Sequence, residues 1–209
     1  MTDAALEDGI AALRGDGLVV YPTETFYGTG ARALRAPAVR RVAMLKARLG
    51  EGAKPISVIV ADRAMAARVV TRVPAAAAAL MERFWPGPLT LVLPARDDLP
   101  AELAAGTGCI GVRVSSHPIA CALAAAVGEP ITATSANRAG EPAACDVATA
   151  RRALGAAVDV YLDGGTLAGG SGSTVLLVAN DGARVIRVGA VSSEALRDVL
   201  GAFPLETPS

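Results

Sequence analysis

Gly17-Leu-Val-Val-Tyr-Pro-Thr-Glu-Thr-Phe-Tyr-Gly-Thr-Gly30 carries a short apolar strand straight into a polar, hydroxyl-rich loop. Val19 and Val20 have the character of buried residues, yet Thr23, Glu24, Thr25 and Tyr27 follow at once between Pro22 and Gly28. In parallel and mixed α/β sheets ligands bind where strands end, so short polar side chains at such a point are placed to touch one. A capped turn with solvated hydroxyls is the plain alternative. Gly28-Thr-Gly-Ala-Arg-Ala33 fits G-x-G-x-x-A formally. However, seven residues separate Val20 from Gly28, whereas the dinucleotide-binding motif turns directly from strand to helix, which excludes that site.

Outward from this stretch, elements of the two kinds alternate. Leu6, Ile10 and Leu13 have helical spacing over 4–14, which ends at Gly15-Asp-Gly17. Pro37 suits the first turn of a helix carrying Val39, Val42, Met44 and Leu45 and ending near Lys46. Ile56–Val60 reads as a strand buried on both faces. Asp62 caps a helix over 63–70, and Pro74 opens another over 75–83. Trp85-Pro-Gly-Pro88 is a rigid turn, since two prolines exclude helix. Leu89–Leu93, Cys109–Val114, Ile131–Thr134 and Val158–Leu162 read as strands, with helices over 117–127 and, capped by Asp146, 147–154. Thr174–Val178 and Val185–Val188 flank Asn180-Asp-Gly182, a hairpin signal. Ser192 or Ser193 caps a last helix, and 201–209 reads as a frayed tail. The pattern predicts an α/β fold, with one twisted mixed (parallel and antiparallel) sheet flanked by helices in a single domain with its core over about 4–200.

Composition narrows the functions. Hydrophobic residues are 52% of 209 but aromatics only 3%, so the core is built of Val, Leu, Ile and Ala. Twenty basic residues balance 20 acidic ones, which predicts no broad polyanion-binding surface. Cys109, Cys121 and Cys145 are scattered and odd in number, against a disulfide framework or zinc site and for a reducing cytoplasm. The acidic start Met-Thr-Asp-Ala-Ala-Leu-Glu-Asp is no signal peptide, and no apolar run reaches the roughly 20 residues a bilayer needs. A soluble cytoplasmic protein with no membrane contact is expected. His117 is the only histidine, which excludes histidine-cluster metal sites; before Pro118 it is placed to cap a helix.

Several clusters carry chemistry. The only two lysines, Lys46 and Lys54, bracket Arg48. Two compact ammonium groups and a guanidinium fork suit a polyphosphate clamp, and equally a solvated helix end favoured by the dipole. Thr132-Ala-Thr-Ser-Ala-Asn137 ends a strand in uncharged donors and acceptors suited to an α-phosphate or sugar, or to a capped turn. Gly164-Gly-Thr-Leu-Ala-Gly-Gly-Ser-Gly-Ser-Thr174 has five glycines, which allow close backbone approach to a ligand or make a flexible surface loop. It lacks the lysine of a Walker A loop. Arg113 and Arg187 interrupt apolar strands; each either needs a carboxylate or ligand anion or faces water.

Taken in order, Tyr21–Gly30, Lys46-Ala-Arg48, Lys54-Pro55, Trp85–Thr90, Val112-Arg113, Ser135-Ala-Asn137, Ser173-Thr-Val175 and Arg187-Val-Gly189 resemble the YrdC-like family of threonylcarbamoyl-AMP synthases, of the short, single-domain bacterial type. The match runs from about residue 17 to 189, and eight motifs in register are highly specific. The resemblance implies a reaction: L-threonine, bicarbonate and ATP give threonylcarbamoyl-AMP and pyrophosphate. The product would feed tRNA threonylcarbamoyladenosine formation by separate transfer proteins. It also implies that Lys46, Arg48 and Lys54 clamp the phosphates with Mg²⁺, Lys46 and Arg48 being catalytic. Ser135, Asn137 and Arg187 would hold the nucleotide, and Thr23, Thr25, Arg113 and Ser173 would bind threonine. No protein metal ligand is implied. Thr29 replaces the usual Leu, the 48–54 segment is slightly longer than usual, Arg138-Ala139 replaces a hydrophobic-Ser pair, and Ala143 stands where a serine can contact ATP.

Two rival readings keep parts of this. One is a carbamoyl-adenylate-forming module related to hydrogenase-maturation carbamoyltransferases, which occur in much longer chains with zinc-finger and acylphosphatase segments. The other is a non-catalytic double-stranded-RNA-binding module. Zero net charge and the lack of a basic run make that a poor primary function, with a weak tRNA contact still open.

Overall fold

A computed structural model describes residues 3–208; Met1, Thr2 and Ser209, the ends of the expected acidic start and tail, lie outside the described residues. In chain order the elements are α1 (Asp3–Arg14), β1 (Val19–Pro22), β2 (Tyr27–Gly30), α2 (Ala36–Arg48), β3 (Val58–Ile59), α3 (Arg63–Ala66), α4 (Ala75–Phe84), β4 (Leu89–Pro94), α5 (Ala101–Ala104) and β5 (Cys109–Arg113). There follow α6 (Pro118–Val127), β6 (Ile131–Thr132), β7 (Thr134–Ser135), α7 (Val147–Leu154), β8 (Val160–Tyr161), β9 (Thr174–Val178), β10 (Ala183–Arg187), α8 (Ser193–Leu200) and β11 (Leu205–Glu206).

The mixed pairing and flanking helices are as expected, but the strands divide into two sheets. One runs β7-β2-β1-β8 and the other β11-β10-β9-β4-β5-β3-β6. The division falls at Ala133. The run read as one strand over Ile131–Thr134 breaks there, because Ile131 and Thr132 pair with β3 while Thr134 and Ser135 pair with β2. The seam between the sheets is therefore lined by backbone on its way from one to the other.

Burial explains why β1 and β3 hold this position. Successive side chains of a strand point to opposite faces. Leu18 and Val20 enter the large core with Val39, Val42, Leu89 and Leu91, while Val19 and Tyr21 enter a second core with Ile10, Leu13, Ile119 and Leu123. Val58 and Ile59 divide between the cores in the same way. A strand with cores on both sides has no face left for polar residues, so its polar groups are confined to its ends.

The hydroxyl-rich stretch after β1 is a tight hairpin followed by a strand. Thr23 N donates to Phe26 O at 3.2 Å, and Tyr21 and Pro22 pair with Gly28 and Tyr27. Gly30 is required there: a Cβ on it would lie 2.6 Å from Cε1 of the fully buried Tyr21 ring.

Two expectations are corrected. The helix over 63–70 ends at Ala66, because the buried Val69 and Val70 leave it to bond across to 94–96. The tail over 201–209 is not frayed where it is described, since Leu205 and Glu206 pair with Ala183 and Arg184. No described helix is long and apolar enough to cross a membrane.

Candidate active site

A cavity of about 210 Å³ opens at the seam, with Arg113 from the end of β5, Ser173 from the start of β9, Arg187 from the end of β10 and Ser135 from β7 on its wall. The hairpin contributes Thr23 and Thr25, and Ser57 comes from the approach to β3. Strand ends from both sheets thus converge on one polar space.

The hairpin hydroxyls form a chain with a defined direction. Thr23 Oγ1 donates to Phe26 O at 2.7 Å and accepts from the Thr25 and Phe26 amides. A hydroxyl has one proton, so in the 3.1 Å contact between them Thr25 is the donor. Thr23 is therefore committed to shaping the turn. Thr25 keeps acceptor capacity toward the cavity, where an ammonium group would use it.

Arg113 is buried, and its Nη1 donates to Glu24 Oε1 at 2.6 Å. The second Glu24 oxygen accepts from Ser115 Oγ. A buried arginine needs an anion, and the carboxylate of the hairpin supplies it while leaving the guanidinium facing the cavity. Arg187 is different. Its Nε and Nη2 donate to Ser173 O at 3.1 and 2.8 Å, and Nη2 also donates to Ser173 Oγ at 2.9 Å, all neutral partners. Burial, then the nearby Arg113 charge, hold the Arg187 pKa below its ordinary value. Two cations thus share a small space with one carboxylate between them, a field that favours an anionic ligand. Ser173 Oγ also lies 3.0 Å from Thr90 Oγ1.

The lysine segment lies beyond Ser135. Lys46 is 5% exposed, with Nζ donating to Ser135 O at 3.0 Å and Asn137 O at 3.2 Å and paired to Glu51 Oε1 at 2.9 Å. With Lys54 and Glu51 it borders a second, largely apolar cavity of about 590 Å³, which shares Pro55, Ile56 and Thr134 with the first. Asn137 Nδ2 donates to Arg138 O and Glu141 O, so its amide holds the loop after β7 and is not among the residues lining either cavity.

Arg48 follows Lys46 at the end of α2, and its side chain is exposed. Residues two apart on a helix lie about 200° round from each other. While Lys46 turns inward, Arg48 lines a neighbouring cavity with Leu18, Arg41, Leu45 and Ala156, and Met44 borders both that cavity and the one beside Lys46.

The sequence names Glu24 and Thr90 without joining them to their partners, and it passes over Ser57 and Ser115. Glu24 and Arg113 answer each other, and the need of a buried arginine for an anion was the signal that could have joined them. Ser57 and Ser115 gave no signal, each sitting singly in an otherwise ordinary run, whereas Thr90 closes the Trp85–Thr90 motif. The glycine-rich stretch is strapped down: Tyr27 Oη donates to Gly165 O at 2.7 Å and accepts from Gly164 N, and Leu167 N donates to Cys145 O. Of that stretch, only Ser173 reaches the polar cavity. His117 caps α6 through Nδ1, as its position before Pro118 predicts.

Comparison with known proteins gives the family. The Sua5_yciO_yrdC family model, described as telomere recombination, matches residues 11–189. The threonylcarbamoyl-AMP synthase of Bacillus subtilis (strain 168) is 36% identical over 95% of this chain and 57% of its own length. A putative threonylcarbamoyl-AMP synthase of Mycobacterium leprae is 38% identical over 95% of this chain and 89% of its own. The crystal structure of P. abyssi Sua5 complexed with L-threonine superposes with a TM-score of 0.89 at 32% identity, over 96% of this chain and 58% of that one. E. coli YciO gives a TM-score of 0.83 at 26% identity, over 93% and 94%. The chain thus spans little more than half the length of the B. subtilis and P. abyssi proteins. It belongs to the Sua5/YciO/YrdC family.

Proposed function

We propose that this chain is an L-threonylcarbamoyl-adenylate synthase, a nucleotidyltransferase that converts L-threonine, bicarbonate and ATP into threonylcarbamoyl-AMP and pyrophosphate. The observation that carries the proposal is the joining of Thr25, Arg113, Ser173, Arg187 and Ser135 around one 210 Å³ polar cavity. That volume lies below the roughly 300–1,000 Å³ of ordinary small-molecule sites. It suits an amino acid of threonine's size and leaves a nucleotide to extend outward past Ser135.

In this reading Arg113 takes the threonine carboxylate with a fork held in place by Glu24. Thr25 accepts from the amine before it reacts. The amine and bicarbonate give the carbamate and water. A carbamate oxygen then attacks the α-phosphorus of ATP, and the bond to pyrophosphate breaks. Arg187 and Ser135, on the cavity wall, would meet the α-phosphate, with Asn137 holding the loop that carries Ser135. Lys46 and Lys54 border the adjoining cavity, where the departing phosphates would lie. No nucleophile from the protein is needed, and positioning with charge stabilisation supplies the rate.

Among the described residues no group of three or more His, Cys, Asp or Glu could hold a metal ion, and Glu24 and Glu51 are each taken by a cation. The residues therefore do not build a protein cage for Mg²⁺, which would enter with ATP on its phosphate oxygens. The product would pass to separate proteins that modify tRNA, in the cytoplasm. The balanced charge gives little basis for strong RNA binding by this chain itself. The test is mass spectrometry of a reaction with isotope-labelled bicarbonate. Label in an adenylate that also contains threonine supports the proposal, whereas label in an adenylate formed without threonine refutes it.

A further inference from the structure

The partners of Lys46 carry a consequence for how polyphosphate is held, one that rests on the synthase reading above. An ammonium group has three protons, and three acceptors take them: Ser135 O, Asn137 O and Glu51 Oε1. With Lys46 5% exposed, a phosphate oxygen can reach Nζ only by displacing one of these.

The two carbonyls are backbone, in a loop tied to the turn after α2 by the bond from Ala139 N to Leu49 O at 3.0 Å. Glu51 is the side-chain partner, and the turn that delivers it has a specific form. Gly50 adopts φ +90°, a conformation that side chains rarely take, and Glu51 N bonds back to Lys46 O at 3.0 Å. The glutamate is thereby aimed along the helix at the ammonium. Gly52 and Ala53, which follow, are exposed, and Glu51 borders the same cavity as Lys46 and Lys54.

We propose that Glu51 is an internal competitor for the phosphate position on Lys46 and so sets the affinity for polyphosphate. Without ligand its carboxylate spares Lys46 a bare buried charge. On entry of ATP the phosphates exchange with it, and as pyrophosphate leaves it returns, which weakens retention of that product. Glu51 touches Lys46 and not the reacting atoms, so it is a positioning residue.

The test is titration of the full chain with inorganic pyrophosphate by calorimetry, for wild type, Glu51→Gln, Glu51→Asp and Lys46→Met/Glu51→Gln. Glutamine keeps the shape and a neutral acceptor while removing the competing charge. Glu51→Gln should bind roughly tenfold tighter, about 1.4 kcal/mol, Glu51→Asp should return toward wild type, and the double variant should lose the gain. Equal or weaker binding by Glu51→Gln, with wild type still binding, would overturn the role of Glu51 and leave the synthase reading standing. A gain that survives removal of Lys46 would also overturn it. Failure of every variant and of wild type to bind pyrophosphate would overturn both.

Discussion

Replacing Arg113 by glutamine should destabilise the protein mainly through the carboxylate it abandons. Arg113 and Glu24 have side chains 8% and 15% exposed and lie 2.6 Å apart, so neither is well solvated. Removing one partner of a buried ion pair costs about 3–5 kcal/mol, because the other stays buried and unpaired. Ser115 still donates to Glu24, which places the cost near the lower end, about 3 kcal/mol. At this chain length each kcal/mol moves Tm by about 2–4 °C, so Arg113→Gln should melt about 6–12 °C lower. Glu24→Gln in the same background removes the stranded charge and should recover part of that loss. A double-mutant cycle read by thermal and urea denaturation measures the coupling directly. A coupling of about 2 kcal/mol or more supports the reasoning. Additive single effects would mean that Arg113 is not neutralised by Glu24, and the account of how its fork is held would fall with them.

Three further outcomes follow from individual positions. Gly30→Ala places a methyl 2.6 Å from Tyr21 Cε1 and should cost about 1–3 kcal/mol as an overpacked core; unchanged urea denaturation would contradict the close approach of β2 to that ring. Among the described residues none bonds the fully buried Thr29 hydroxyl, so Thr29→Val should raise stability by about 1 kcal/mol, and a lowered Tm would refute this. Burial, opposed in part by Glu24, holds the His117 pKa below its ordinary 6.5. The unfolded chain therefore binds that proton first as pH falls, and the stability from His117 is full above 6.5 and lost below it. His117→Asn keeps a good cap, so its Tm relative to wild type should improve from about pH 7.5 to about pH 5.5; a constant difference would contradict the shift.

Much of this molecule was legible in its residues because the signals were local. Asp62, Asp146 and Ser192 cap the helices they precede, and Ala179 N to Gly182 O closes the expected hairpin. The double burial of β1 and β3 could be read from their unbroken apolar runs. What escaped depended on distance or direction. Tyr27-Gly-Thr-Gly30 has the composition of a loop and becomes a strand only because Tyr21 lies across its glycines. The split at Ala133 leaves no mark in an apolar-to-polar run, since it is set by which neighbour each half pairs with. Within the site, Arg113 and Arg187 were recognisable as charges out of place. A sequence motif groups Lys46 and Arg48 as neighbours, and the helical turn sets Lys46 inward and Arg48 outward, on adjoining cavities that share Met44.

The central claim is most directly tested by pyrophosphate release from ATP and Mg²⁺, with L-threonine and bicarbonate added separately and together. Release that requires both is the result expected of the converged cavity. Release with threonine alone, with carbamoyl phosphate in place of both, or in no mixture at all would contradict it.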